Sequence, residues 1–397
     1  MKFFPPVWRR HRPLIALVLG VAVTGFLLAA VPAVATSNRD TGTTSSTTSS
    51  TTTIPGTTST SSTTSSTTSS TTTTTIPTSV PRSQQLPWPS KASAAVAVPD
   101  LSVAASSPVQ PRVPIASLTK MMTTWVVLHK LPLTYSESGP CLTVNAQDVA
   151  LYNQDVETGQ SNVKIALGER LCEGTLLRGM LVHSAGDYAQ LLTTMLNMSE
   201  TKFVAAMNKA ARSLGLKHTR YVDYTGISPG DLSTAQDQSA IEVELMDNEP
   251  IVRRIVALPS VKLPVAGVVV SYTPFEGVDG VVGVKSGFTT PAGGCDAMAI
   301  NVELGNTVIT TYAVVLGVHG GDAIDRAGQY ALTLAQSLRS RFKVTATSAG
   351  SSVVWNGWPG YVVAPATTTT TTCTTTSTST TTSTSTTTSS TTTTTIF

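Results

Sequence analysis

Residues 115–122 read IASLTKMM, and the spacing inside that octapeptide decides how the rest of the chain is read. Ser117 stands three residues before Lys120. On a helix this interval puts both side chains on one face, a turn apart. Taken alone, the pattern describes a helix N-cap followed by a solvated lysine. It equally describes a serine nucleophile with its own amine base, provided that the amine is desolvated enough to give up its proton. Met121, Trp125, Val126 and Leu128 recur at three- and four-residue spacing, so a helix is expected from Ser117 to about Leu131.

The segment 94–105 (AAVAVPDLSVAA) reads as two short strands around a Pro-Asp turn. Beyond the first helix, residues 148–258 are predominantly helical in pattern, with separate helices over 175–182, 187–197 and 201–216. Another starts at Ser233, where S-T-A-Q has the capping-box form with Gln236 three residues on. The pattern then turns to β-branched runs at 261–272, 280–287, 295–304 and 307–318, and an amphipathic helix closes near Phe342. Spacing this close between late strands requires antiparallel pairing, because a parallel crossover needs a dozen or more residues. The expected fold is therefore α+β: one antiparallel sheet built from both chain ends, flanked by helices, with a helical lobe inserted.

The ends of the 397-residue chain cannot add to that core. Residues 41–75 and 367–395 are almost wholly Ser and Thr, which bury too little apolar surface to offset the entropy of ordering. They read as extended stalks open to O-glycosylation. Arg9, Arg10 and Arg12 precede an apolar run over 14–31, and Ala33-Val34-Ala35 has the form of a signal-peptidase site. That run is long for a cleaved signal and just long enough to span a bilayer, so secreted and N-terminally anchored forms both stay open, with the main domain exported. The division expected is 1–35 signal peptide or anchor, 36–83 stalk, 84–345 main domain, 346–365 short aromatic segment and 366–397 tail. The aromatic run VVWNGWPGYVV (353–363) reads as a short hairpin against the domain or as a glycan patch.

A net charge of +3 with scattered basic residues gives no support to nucleic acid as a partner. The four cysteines have no metal-ligand spacing, and no His, Cys or carboxylate cluster has one either, so neither metal nor organic cofactor is indicated. Cys141 and Cys172, each at the edge of a loop, could be joined in an oxidising compartment. Cys295 reads as a buried thiol and Cys373 lies alone in the tail. Asn197-Met198-Ser199 is a formal glycosylation sequon, but at a helix boundary it reads as Ser199 capping the next helix.

Two further motifs bear on Ser117. His183-Ser184-Ala185-Gly186-Asp187 lies between two expected helices, and Lys285-Ser286-Gly287 ends a strand-like run. A serine with a lysine at +3, then S-x-N, then K-[TS]-G, is the motif set of penicillin-binding proteins and serine β-lactamases. The intervals of 67 residues from Ser117 to Ser184 and 101 from Ser184 to Lys285 resemble those of the D-alanyl-D-alanine carboxypeptidases. The blocks IASLTKMMT, LLRGMLVHSAGDYA, AARSLGLKHTRYVD, LSTAQD and GVKSGFTTPAG follow that family in order and cover most of residues 90–340.

The resemblance implies a β-lactamase/transpeptidase-like fold and a chemistry. Ser117 attacks the carbonyl of a penultimate D-Ala, with Lys120 as base, its pKa lowered by burial and by the nearby Lys285 cation. Backbone N–H groups of Ser117 and Phe288 hold the oxyanion. Ser184 relays a proton to the leaving D-Ala, Lys285 and Ser286 bind its carboxylate, and Gly287 lets the strand backbone approach. The implied partners are peptidoglycan stem peptides and β-lactam antibiotics. Family members often add an arginine on a late strand, for which His319 and Arg326 are the nearest positions here.

One departure stands out. The third residue of the S-x-N motif, an asparagine that normally hydrogen-bonds the lysine, is Gly186. Lys120 must then find another partner, of which neighbouring Asp187 is one option. Three rival readings follow. A class A β-lactamase uses a glutamate soon after the second motif to activate water, and residues 201–241 contain none. An α/β-hydrolase would take Ser184, Asp296 and His319 as its triad, but Val182 replaces the first glycine of G-x-S-x-G. The remaining rival is a non-catalytic envelope protein that uses the same fold to bind peptidoglycan.

Overall fold

The computed structural model describes residues 85–347 and 350–358. The apolar run 14–31, both Ser/Thr tracts, Cys373 and the end of the aromatic segment lie outside the described residues. Among the described residues no helix is long and apolar enough to cross a membrane.

The chain opens with strands β1 (Ser93–Val98) and β2 (Val103–Ser106), joined by a 3-10 turn at Pro99–Leu101. A two-residue strand β3 (Val113–Pro114) leads to a 3-10 turn, Ala116–Leu118, and then to helix α1 (Thr119–Lys130). The α-helix therefore starts two residues later than Ser117, which sits in the tighter turn before it. Strand β4 (Cys141–Thr143), helix α2 (Ala146–Glu157), strand β5 (Arg170–Cys172) and helices α3 (Glu173–Val182), α4 (Gly186–Met195) and α5 (Glu200–Ser213) follow. Strand β6 (Leu232–Ser233) pairs with β3 and precedes helices α6 (Ala235–Asn248) and α7 (Pro250–Val256). Strands β7 (Ser260–Leu263), β8 (Gly267–Val270), β9 (Val281–Thr289), β10 (Gly293–Leu304) and β11 (Thr307–Val318) come next, then helix α8 (Ala323–Arg339). A last hairpin joins β12 (Phe342–Thr347) to β13 (Gly350–Trp355).

The main sheet has the order β2-β1-β11-β10-β9 and is antiparallel throughout, with strands from both ends of the domain. Because side chains alternate across a strand, its two faces serve two cores. Cys295, Ala297 and Ala299 of β10 face the helical lobe, together with Met121, Met122, Leu176 and Tyr188. Met298, Ile300 and Val302 face α8, against Ala327, Ala331, Leu334 and Leu338. Burial on both faces explains why the late strands read as nearly continuous apolar runs. Helix α1 is buried over most of its length, including Thr119, Lys120 and Thr123. It runs through the lobe and is its central helix.

Several local expectations shift. The run 261–272 forms its own β7–β8 hairpin outside the main sheet, turning through Pro264 to Gly267 at φ +74°. Helix α6 is capped by Thr234, whose Oγ1 accepts from the Asp237 amide at 3.1 Å, so the cap lies one residue after Ser233. Ser199 does cap α5, accepting from Lys202 N–H at 3.4 Å. Cys141 and Cys172 form a disulfide, as directly opposed partners of the β4–β5 pair rather than at loop edges, and Cys295 is a buried free thiol. In the described part of the aromatic run, β13 pairs back onto Phe342–Thr347, and Val353, Trp355 and Trp358 pack against the α8-side core.

Candidate active site

Helix α1 begins at a constrained turn. Ile115 donates its N–H to Asp231 O at 3.2 Å, and Ala116 takes a positive φ of 47°. Ser117 is half-buried and Lys120 is only 3% exposed. The Lys120 ammonium donates to Ser117 Oγ at 3.2 Å and to the Thr225 carbonyl at 2.7 Å. Burial pushes the Lys120 pKa down to about 8, against the pull of Asp223, Asp187, Asp231 and Asp155. Lys285, expected from the motif resemblance to share in that lowering, is not among its causes. Desolvation is its cause instead, and the Lys120 cation helps to depress Lys285.

Strand β9 is the sheet edge nearest this turn. Lys285 is 1% exposed, which excludes a surface cation, and its Nζ donates to Ser286 O at 2.7 Å. Burial holds its pKa well below the usual lysine range; Lys120 adds to the effect and Asp296 opposes it. Gly287 lies within the strand, not in a turn. A Cβ there would stand 2.7 Å from Ser117 N and 3.1 Å from Ala116 Cβ, so only glycine lets the strand pack this closely against the turn. Phe288, next in the strand, is 51% exposed. Ser286 Oγ donates to Tyr272 O at 2.7 Å, which leaves its lone pairs but not its proton for another group.

Ser184 lies between α3 and α4 in a left-handed conformation, φ 61°. It is not a helix cap, since Ala185 holds that position, and its buried Oγ has no hydrogen-bond partner among the described residues. It is therefore linked to neither lysine here. Gly186, the first residue of α4, donates its N–H to Ser161 O at 2.7 Å. A Cβ on Gly186 would meet Ser161 O at 3.3 Å and Thr225 Cγ2 at 3.9 Å, so the motif's third position faces the segment that holds Lys120. Asp187 does not take over that contact. Its Oδ1 accepts from Val163 N–H at 3.2 Å, and burial pushes its pKa up to about 7.

The sequence reading missed the loop between α5 and α6. Asp223 accepts from the amides of Thr225, Gly226 and Ser228, and Thr123 Oγ1 of α1 donates to Tyr224 O at 2.7 Å. Gly226, at φ +85°, packs against the Ala116 carbonyl so tightly that no Cβ fits. A backbone carbonyl as lysine acceptor leaves no residue-type signature, so only the Asp-x-x-Gly spacing of 223–226 hinted at it. His183 and Tyr272 are also joined, ring centroids 4.3 Å apart, with Tyr272 OH 3.1 Å from His183 Nε2. Arg326 lies on α8, not on a strand, and donates to His319 O at 3.0 Å. Among the described residues no group of three or more His, Cys, Asp or Glu could hold a metal ion.

Comparison with known proteins adds to this geometry. The family model for D-alanyl-D-alanine carboxypeptidases matches residues 89–319. A D-alanyl-D-alanine endopeptidase of Pseudomonas aeruginosa is 34% identical over 132 residues, 33% of this chain and 39% of the relative. The D-alanyl-D-alanine carboxypeptidase DacF of Bacillus subtilis is 29% identical over 139 residues, 35% of this chain and 34% of its own length. The matched stretch thus spans little more than a third of these relatives. In structure, the chain is similar to penicillin-binding protein 5 from Haemophilus influenzae, with TM-score 0.56 and 21% identity over 66% of this chain and 73% of that one. The Streptomyces K15 DD-transpeptidase gives TM-score 0.54 and 21% identity, covering 63% of this chain and 99% of that one. At such identities the likeness is one of fold, and it is the transpeptidase-like α+β fold. Because the family model runs through Ser117, Lys120, Ser184, Lys285 and Gly287 and covers more than half of the chain, the protein belongs to the D-alanyl-D-alanine carboxypeptidase family.

Proposed function

We propose that the protein is a serine-type D-alanyl-D-alanine carboxypeptidase that removes the terminal D-Ala from peptidoglycan stem peptides through an acyl-enzyme, and that β-lactams trap it. The observation that carries this reading is the Ser117 Oγ to Lys120 Nζ contact of 3.2 Å, made by a buried amine whose pKa is lowered to about 8. Such an amine is part neutral near pH 7 to 8 and can accept the Ser117 proton. Ser117 Oγ then bonds to the carbonyl carbon of the penultimate D-Ala, and the peptide C–N bond breaks. The departing nitrogen takes the proton that Lys120 received from Ser117, relayed by Ser184, whose buried hydroxyl makes no hydrogen bond among the described residues. Water adds to the ester and releases the shortened peptide, restoring Ser117.

Backbone N–H groups of Ser117 and Phe288 are the proposed oxyanion donors, and the approach of Gly287 to Ser117 supports that assignment. Lys285 supplies positive charge for the terminal carboxylate. Ser286 joins it only after its hydroxyl turns away from Tyr272 O. The arginines and apolar run of the N-terminus support a working domain outside the cytoplasm, secreted or attached through residues 14–31. The test is release of D-Ala from a muramyl pentapeptide by the wild-type chain and by Ser117→Ala. Release that Ser117→Ala abolishes supports the reading, and no release from a folded wild type overturns it.

Gly186 favours a second reading, a peptidoglycan-binding protein without turnover. The lysine there lacks the side-chain acceptor of the S-x-N motif. Retention on peptidoglycan without D-Ala release or penicillin acylation would select it.

A further inference from the structure

We infer that Asp223 is the positioning residue for the Lys120 amine, working through the carbonyl of Thr225 in place of the side chain that Gly186 lacks. The inference rests on the Ser117–Lys120 reading above. A buried ammonium needs acceptors. Lys120 has one in Ser117 Oγ at 3.2 Å and a shorter one in Thr225 O at 2.7 Å. That carbonyl is placed by Asp223, itself 8% exposed. Asp223 Oδ1 accepts from Thr225 N at 2.5 Å, Thr225 Oγ1 at 3.0 Å and Gly226 N at 2.6 Å, while Oδ2 accepts from Ser228 N at 2.6 Å. Four bonds to one carboxylate leave the Thr225–Gly226 peptide little freedom to turn.

The loop is fixed to the nucleophile at both sides. Thr123 of α1 holds Tyr224 O at 2.7 Å, and Gly226 packs on the Ala116 carbonyl. Asp231 braces the base of the loop: it accepts from Val222 N at 2.6 Å, Asp223 N at 3.1 Å and Thr119 Oγ1 at 2.8 Å. Lys120 is therefore held by a backbone carbonyl set by Asp223, and Gly186 of α4, where a Cβ would face Thr225 Cγ2, brings no side chain to that segment. The charged groups facing it are Asp223 and Asp231 from this loop, Asp187 from α4 and Asp155 from α2, with Lys285 of β9 as the neighbouring cation. Asp223 contributes the largest of the four carboxylate attractions. It thus has two effects, one on where the amine points and one on when it loses its proton.

The experiment follows Lys120 directly and does not depend on turnover. The full chain is labelled at lysine Cε with carbon-13, the Lys120 signal is assigned by its absence in Lys120→Arg, and its titration is recorded for wild type and Asp223→Asn. Benzylpenicillin acylation is measured over the same pH range. Removing the carboxylate charge lets the lysine lose its proton more easily. The Lys120 titration and the midpoint of the acylation profile should therefore both move to lower pH by about one unit. The acylation plateau should fall about tenfold as the amine loses its fixed direction. Gly186→Asn in the Asp223→Asn background, with a Cβ facing Thr225, should recover most of that plateau.

An unchanged Lys120 titration in Asp223→Asn overturns the inference, even if the rate falls. A wild type that never acylates while Lys120 still shifts refutes the carboxypeptidase reading and leaves only the charge effect of Asp223 on Lys120 standing. If Asp223→Asn fails to fold, Asp223→Glu keeps the charge but displaces the carboxylate. There the Lys120 titration should stay near its wild-type point while the plateau drops, and a wild-type plateau overturns the role.

Discussion

Gly287 of strand β9 lies so close to Ser117 that a single methyl group on it would stand 2.7 Å from the Ser117 nitrogen. Strand and turn are thus held at backbone contact, with no side chain of residue 287 between them. Gly287→Ala should lower benzylpenicillin acylation about a hundredfold by moving the strand outward. The overpacking should cost about 1–3 kcal/mol in urea unfolding. A variant that acylates at the wild-type rate would show that this contact is irrelevant to the site.

The rate of acylation should rise with pH through about 8, where buried Lys120 loses its proton. Only the neutral amine can take the Ser117 proton, so the ascending low-pH limb belongs to Lys120 and the rate falls as pH drops below that value. Lys120→Arg, which stays charged across the range, should remove acylation at every pH. Stopped-flow measurements between pH 6 and 9.5 read both.

Asp296 of β10 and Glu242 of α6 are fully buried, and neither carboxyl has a hydrogen-bond partner among the described residues. Burial holds both well above the usual carboxylate range; Lys285 opposes the shift of Asp296, and Asp296 adds to that of Glu242. An acid raised on folding weakens the fold progressively as pH climbs from its unfolded value toward its folded one. Asp296→Asn cannot ionise. It should stabilise the protein more at pH 8 than at pH 5, because the loss it removes grows with pH above the unfolded value. Paired thermal melts at the two pH values check this, and an equal effect at both would contradict it.

The Cys141–Cys172 disulfide closes a loop with a sequence separation of 31. The loop-entropy argument gives about 3–4 kcal/mol for a ring of that size. Cys141→Ser with Cys172→Ser should therefore lower the melting temperature by about 10 °C. Calorimetry of the double variant against wild type makes the comparison.

What the sequence made legible is local or periodic. Ser117 and Lys120 meet because a three-residue interval on a helical turn leaves little choice, and the two-core sheet follows from apolar runs of strand length. Gly287 was readable as a close-approach residue because its motif neighbours were. What stayed hidden is long-range or carried by backbone. Thr225 holds Lys120 through a carbonyl that every residue type possesses, 105 residues away. The Ser286 hydroxyl turns to Tyr272 O, and the β7–β8 hairpin leaves the main sheet, for tertiary reasons that period-two patterning does not encode. The capping site of α6 moved from Ser233 to Thr234 because both residue types cap equally well and only the chain path chooses.

Acylation at Ser117, with Lys120 as its base, is read by intact mass of the full chain after incubation with benzylpenicillin, beside Ser117→Ala. One covalent penicillin per chain is expected in the wild type and none in the variant. A folded wild type that gains no mass, or a Ser117→Ala variant that gains the same adduct, would contradict it.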